Sequence, residues 1–213
     1  MAGILDLLDS DLGKSIISGV AGQTGQSENK TNELLTMALP VLTQAMRRNA
    51  STPDGAQGLL SALSNKHDGS ILDNLGDLFQ GGVNADVLQD GDKILGHVLG
   101  SKQQNVTSAL SQKSGVDASS VAQILQVAAP LLMGLLGKQT RQQNVSSQSG
   151  VEGLLGGLLK NNSQPKEQSF LESILDADGD GSVIDDVAGM VLGGNNKKSG
   201  GLGGLLGGLF GKR

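Results

Sequence analysis

Five aspartates fall within eleven residues near the C-terminal end of this chain: Asp176, Asp178, Asp180, Asp185 and Asp186. Gly179, Gly181 and Ser182 lie among them. Carboxylates crowded this closely repel one another unless a cation sits between them. Calcium is a hard cation that takes about six to eight oxygen ligands from carboxylates and carbonyls. Asp176, Asp178 and Asp180 alternate along the chain, so three carboxylates aim at one point, and Ser182 adds a backbone carbonyl. Asp185 or Asp186 then stands where a closing ligand is needed. Calcium is the expected cofactor, and these six residues are its expected ligands. The plainer alternative is an Asp/Gly-rich turn between two helices, but a turn needs only one or two of the carboxylates.

The flanking residues supply the elements that would hold such a loop. Phe170, Leu171, Ile174 and Leu175 form an apolar face before it, opened by a Ser169/Glu172 capping box. Val183, Ile184, Val187 and Val191 continue the apolar pattern after it. The result is an EF-hand-like helix–loop–helix, with Gly181 at the sharp turn. One position departs from the EF-hand pattern. Counting from Asp176, the bidentate glutamate expected at the twelfth position is replaced by Val187. Asp186 lies one residue early and Asp185 two, so the loop closes short and binds weakly.

Most of the chain is a different object, a helical unit written twice. Leu34 to Leu42 lines up with Ile124 to Leu132, and in the same register Val20 pairs with Leu110 and Gly25 with Gly115. Ser27 and Asp117 occupy matched positions just before the two apolar-periodic runs, where an N-cap belongs. After a slip in register, the six residues from Gly55 to Leu60 resemble those from Gly150 to Leu155. The three- and four-residue apolar spacing of Leu34, Leu35, Ala38 and Leu42 predicts one long helix, and that of Val121, Ile124, Leu125, Ala128 and Leu132 a second. Pro40 and Pro130 fall inside them, read as packing kinks. Gly137 is placed to end the second helix, and Arg47-Arg48 suit the C-terminal end of the first.

His67 and His97 are the only histidines. Each has an acid nearby in sequence, Asp68 beside His67 and Asp92 shortly before His97, and such pairs can do acid–base work. Nothing else in the pattern supports catalysis. The aspartates of Asp68-Gly69 and Asp90-Gly91-Asp92 read most simply as caps of the apolar helices that follow them.

Composition narrows the functional classes. The chain has 213 residues, no Cys, no Trp, no Tyr and three Phe, so any core is aliphatic and disulfides and thiolate chemistry are excluded. A formal net charge of −5 argues against nucleic acid, which needs clustered cations. No uninterrupted apolar run approaches the roughly 20 residues of a membrane-spanning helix. The N-terminal Met1 to Asp9 carries acids and no basic lead, so it does not read as a secretory signal. The expected location is cytoplasmic.

The string Asp92-Lys93-Ile94-Leu95-Gly96-His97-Val98-Leu99-Gly100-Ser101-Lys102, with Val106 to Ser111 after it, resembles the YidB-like bacterial proteins. Leu7-Leu8, Ala38-Leu39-Pro40 and Ala128-Ala129-Pro130-Leu131 look like that family as well. The resemblance covers roughly residues 1–160. It implies a bacterial, mainly helical protein and brings no activity or catalytic residue with it.

The expected fold is therefore all-α. Residues 1–160 form a duplicated helical bundle domain, 161–168 a linker, 169–193 the EF-hand-like unit and 194–213 a Gly/Leu-rich tail. The expected function is non-enzymatic, a calcium-binding helical protein with a structural or interaction role. The alternative is a membrane- or envelope-associated scaffold acting through the tail, with the aspartate loop only a turn. The tail's Leu202, Leu205, Leu206, Leu209 and Phe210, ending in Lys212-Arg213, suit a membrane surface, a partner's groove or self-association.

Overall fold

The computed structural model describes residues 4–79, 83–159 and Ile174. Those residues form ten α-helices and contain no strand. They are α1 (Ile4–Leu8), α2 (Asp11–Thr24), α3 (Glu28–Asn49), α4 (Pro53–Asn65), α5 (Ser70–Asp73), α6 (Leu75–Phe79), α7 (Ala85–Leu99), α8 (Gln103–Ser114), α9 (Ala118–Gln142) and α10 (Gln148–Leu159). A single 3-10 turn, Gly100–Lys102, joins α7 to α8.

The two triplets α2–α3–α4 and α8–α9–α10 share several of the devices that start and stop their helices, although α2 opens on a Ser10 side-chain cap and α8 on a 3-10 turn. Gly25 and Gly115 end α2 and α8 in the left-handed region, both at φ 67° and ψ 15°. Glycine tolerates that conformation because it has no Cβ to clash. The Ser27 hydroxyl accepts from the Lys30 N–H at 3.3 Å, and the Asp117 carboxylate accepts from the Ser120 N–H at 2.9 Å. Each bond satisfies one of the donors that a helix N-terminus leaves open. Thr52 caps α4 through the Gly55 N–H, as Ser147 accepts from the Gly150 N–H before α10. Pro40 and Pro130 lie inside α3 and α9, and both are buried. Arg47 and Arg48 sit in the last turn of α3.

Packing interleaves the triplets. α3 and α9 touch each other, and the third helix of each triplet lies on the long helix of the other: α4 on α9, α10 on α3. The core between them is aliphatic, with Leu34, Leu35, Leu42, Leu125, Leu136 and Leu155 almost fully buried. Each such side chain contributes about 1.5–3 kcal/mol by leaving water. Ile174 is also fully buried in this core.

Three expectations are corrected. Asp90 and Asp92 are not caps, because α7 begins at Ala85, five residues before Asp90, with Asn84 as its N-cap. Gly91 is internal to α7 and lies against α9, where a Cβ would come 1.9 Å from the Gln126 carbonyl oxygen. That carbonyl is the acceptor Pro130 leaves without its helical donor. Gly137 does not end α9, which runs on to Gln142. It is buried because the loop after α4 crosses there, and a Cβ would lie 1.7 Å from the His67 carbonyl oxygen. Finally, α9 is long and apolar enough to cross a membrane by length and composition, although no uninterrupted apolar run reaches that length. Most of its residues are buried among the other helices, as in the core helix of a soluble bundle.

Candidate functional site

Asp176, Asp178, Asp180, Ser182, Asp185 and Asp186 all lie outside the described residues, as does the Ser169/Glu172 capping box. Ile174, two residues before Asp176, is the one described residue of the expected EF-hand-like unit, and it is fully buried. Among the described residues, no three His, Cys, Asp or Glu side chains converge as metal ligands would.

What the structure does bring together is the pair of histidines. His67 and His97 line one groove between α4 and α7, with a volume of about 640 Å³. The backbone fixes His67 from two sides. Its N–H donates to the Ala62 carbonyl at the end of α4, and its carbonyl abuts Gly137 of α9. This leaves the imidazole in the groove, with its side chain only 10% exposed. On the opposite wall Asp90, Lys93 and His97 follow at spacings of three and four along α7, and therefore share one face. His97 is further held by its backbone, whose carbonyl accepts from the Asn49 side-chain amide at 2.9 Å.

The acid facing His67 is Asp90, with Nδ1 to Oδ2 at 3.7 Å. The sequence neighbours are engaged elsewhere. Asp68 caps the start of α5, accepting from the Ser70 N–H at 3.0 Å, and pairs with Arg141 of α9 at 3.3 Å. The Arg141 guanidinium also donates to the Asp68 carbonyl. The Ser70 bond, aided by Arg141, holds the Asp68 carboxyl below the usual carboxylate range. Asp92 accepts from the Gln126 side-chain amide at 2.8 Å, tying α7 to α9. Burial pushes the His67 imidazole below its ordinary value and nearby Lys66 adds to that, while Asp90 opposes it. The ring is therefore neutral at pH 7.

The His67–Asp90 approach is absent from the sequence reading because Asp90-Gly91-Asp92 resembles a cap. The signal that finds it is the helical spacing of Asp90, Lys93 and His97 once α7 is allowed to begin at Ala85. A second groove, of about 660 Å³, lies between α2 and α6. Its lining includes Ser15, Ser18, Gln23 and Phe79 and holds no titratable group.

The repeat also extends further along the chain than the two long helices. Asp68-Gly69-Ser70-Ile71-Leu72-Asp73, which contains the whole of α5, is matched by Asp180-Gly181-Ser182-Val183-Ile184-Asp185. Asp73, matched to Asp185, carries an exposed ion pair with Lys138 at 3.6 Å.

No curated protein and no solved structure matches the chain. The model of the family described as "Bacterial protein of unknown function (DUF937)" matches residues 6–139 and 142–213. The second span runs past residue 160, where the resemblance was expected to stop, and takes in the aspartate loop and the tail. With the repeated helices and both flanking segments inside the matched spans, the chain belongs to this bacterial family.

Proposed function

We propose that this is a non-enzymatic, calcium-binding helical protein with a structural or interaction role in the bacterial cytoplasm. The observation that carries this reading is a substitution pattern between two repeats of one segment. In the register that matches Asp68-Gly69-Ser70 to Asp180-Gly181-Ser182, Ser64 becomes Asp176, Lys66 becomes Asp178 and Asn74 becomes Asp186, while Asp73 is kept as Asp185. The apolar positions of α6 are kept as well, Leu75 as Val187 and Leu78 as Met190. The C-terminal copy thus gathers carboxylates where the first has a hydroxyl, a cation and an amide. That exchange costs like-charge repulsion and gains oxygen ligands.

Asp176, Asp178 and Asp180 supply side-chain oxygens, Ser182 a carbonyl, and Asp185 or Asp186 the closing ligand. Calcium neutralises the loop and sets the angle between the segments on either side. Ile174 ties the first of those segments to the bundle. The non-enzymatic half of the reading rests on the absence of cysteine and of any serine in a nucleophile-elbow pattern. Residues 1–160 act as the duplicated helical domain, descended from one helical unit.

Calorimetric titration of the metal-stripped full chain with calcium tests the reading, beside an Asp178→Ala/Asp180→Ala variant. The expected result is saturable binding of about one ion, weak for want of a bidentate closing glutamate and lost in the variant. Absence of heat at millimolar calcium overturns it.

A further inference from the structure

The groove between α4 and α7 has a chemistry of its own, independent of the calcium reading. Its volume of about 640 Å³ falls within the range of roughly 300–1,000 Å³ typical of small-molecule pockets. The floor is aliphatic, with Ile94 and Met133 buried and Leu59 half-buried. The charged groups in the lining are Lys66, Lys93 and Asp90, so two ammonium groups face one carboxylate. One net positive charge is thus concentrated on a chain whose formal charge is −5.

The His67 imidazole is about nine-tenths buried in this groove and makes no side-chain hydrogen bond among the described residues. Asp90 stands 3.7 Å away, too far for one. His67 lines the groove, so an acceptor there can take a hydrogen bond from an imidazole N–H while an apolar body covers the aliphatic floor. A carboxylate at the end of a hydrocarbon chain does both.

We propose that this groove binds a small aliphatic carboxylate, its anionic group held by Lys66, Lys93 and His67 and its hydrocarbon body lying on Leu59, Ile94 and Met133. The bound anion accepts a hydrogen bond from the His67 ring N–H, and its charge offsets the desolvation that disfavours the protonated ring. Lys93 is already oriented by the Gln89 side-chain oxygen, at 3.3 Å on the same helix.

With two histidines in the chain, the imidazole proton signals give a direct readout by NMR in the full-length protein. His67→Gln and His97→Gln variants assign them. The probes are hexanoate, acetate and hexanol, which separate the charge from the hydrocarbon body. The expected result is a saturable shift of the His67 signal with hexanoate, and no saturation with acetate or hexanol over the same range. A Lys66→Gln/Lys93→Gln variant, altered only at exposed positions, should weaken hexanoate by about two- to tenfold, as loss of exposed charge contacts does. Equal shifts with hexanol, an unchanged affinity in the double lysine variant, or no His67 response to hexanoate would each overturn the proposal.

Discussion

The two triplets are built to one plan and end in different surroundings. In the second, α9 packs most extensively against α7 and is also touched by α3, α4, α5 and α8. In the first, α3 has at the position matching α7 only α1, a helix of five residues. The third helices show the consequence most clearly. Leu154 and Leu155 of α10 are buried at 3% and 0% exposure, whereas their matches in α4, Leu59 and Leu60, are half-buried. The same six-residue pattern yields a closed core in one triplet and an open groove in the other. Local sequence sets helix, cap and apolar face; the receiving helix decides how much of that face is buried.

That asymmetry gives the largest expected effect. Leu155→Ala should cost about 2–5 kcal/mol, the range for emptying a fully packed leucine site. Leu60→Ala should cost under about 1.5 kcal/mol, because much of that side chain already meets water. Chemical denaturation of both variants decides the matter. Equal losses would mean that α4 is as enclosed as α10 and that the groove beside it is closed in solution.

The seam between α7 and α9 offers a second, somewhat smaller contrast. Gly91→Ala places a Cβ against the Gln126 carbonyl and should cost about 1–3 kcal/mol, as overpacking does. Gly96→Ala lies in the same helix with nothing within 4 Å of the new carbon. It should stabilise by about 0.5–1 kcal/mol through helix propensity. A Gly91→Ala variant as stable as Gly96→Ala would separate α7 from α9 and break the account of why α9 is the better covered helix.

Gly91 also marks where the sequence stops being legible. The helices with apolar periodicity and a capping residue, α3 and α9, are evident from Ser27, Asp117 and the leucines that follow. Their contacts are not. Asp90-Gly91-Asp92 looks like a helix start because Asp and Gly favour caps and turns, yet its glycine serves a close helix approach that only the tertiary structure reveals. Gly137 misleads in the same way, resembling a stop while admitting the His67 carbonyl. The groove was hidden for a related reason. His67 and Asp90 are brought together by packing, whereas their sequence neighbours Asp68 and Asp92 are committed to Arg141 and Gln126. The aspartate loop, expected from sequence as a calcium site, lies outside the described residues.

Matched positions in the long helices sharpen the comparison further. Thr31 of α3 and Val121 of α9 are both fully buried, but the Thr31 hydroxyl has no hydrogen-bond partner. Two side chains of similar shape thus fill equivalent sites, one carrying an unsatisfied polar group. Thr31→Val should stabilise the protein by about 1 kcal/mol, the desolvation penalty recovered. A loss of stability on this change would show that the hydroxyl has a partner in solution, and with it a difference between the triplets that runs the other way.

The smallest effect concerns the two caps, which do the same work with different chemistry. Ser27 caps α3 with a neutral hydroxyl, and Asp117 caps α9 with a carboxylate. The Ser119 hydroxyl at 2.6 Å, and then the Ser120 N–H, hold the Asp117 carboxyl well below the usual range. A carboxyl depressed in the folded state adds stability that is fully present above its unfolded value, about 3.9. That stability is lost as the pH falls through the folded value. Asparagine caps a helix about as well as aspartate but does not titrate. Asp117→Asn should therefore run below the parent protein by a constant margin from about pH 7 down to about pH 5, and the gap should narrow as acid reaches the carboxylate range. Ser27→Ala carries no such titration, so its deficit should stay level over the same span. Denaturation midpoints across that series measure both curves. Parallel curves for Asp117→Asn and the parent would show that the carboxylate is not engaged at the helix start, leaving the two triplets alike in the one feature where charge distinguishes them.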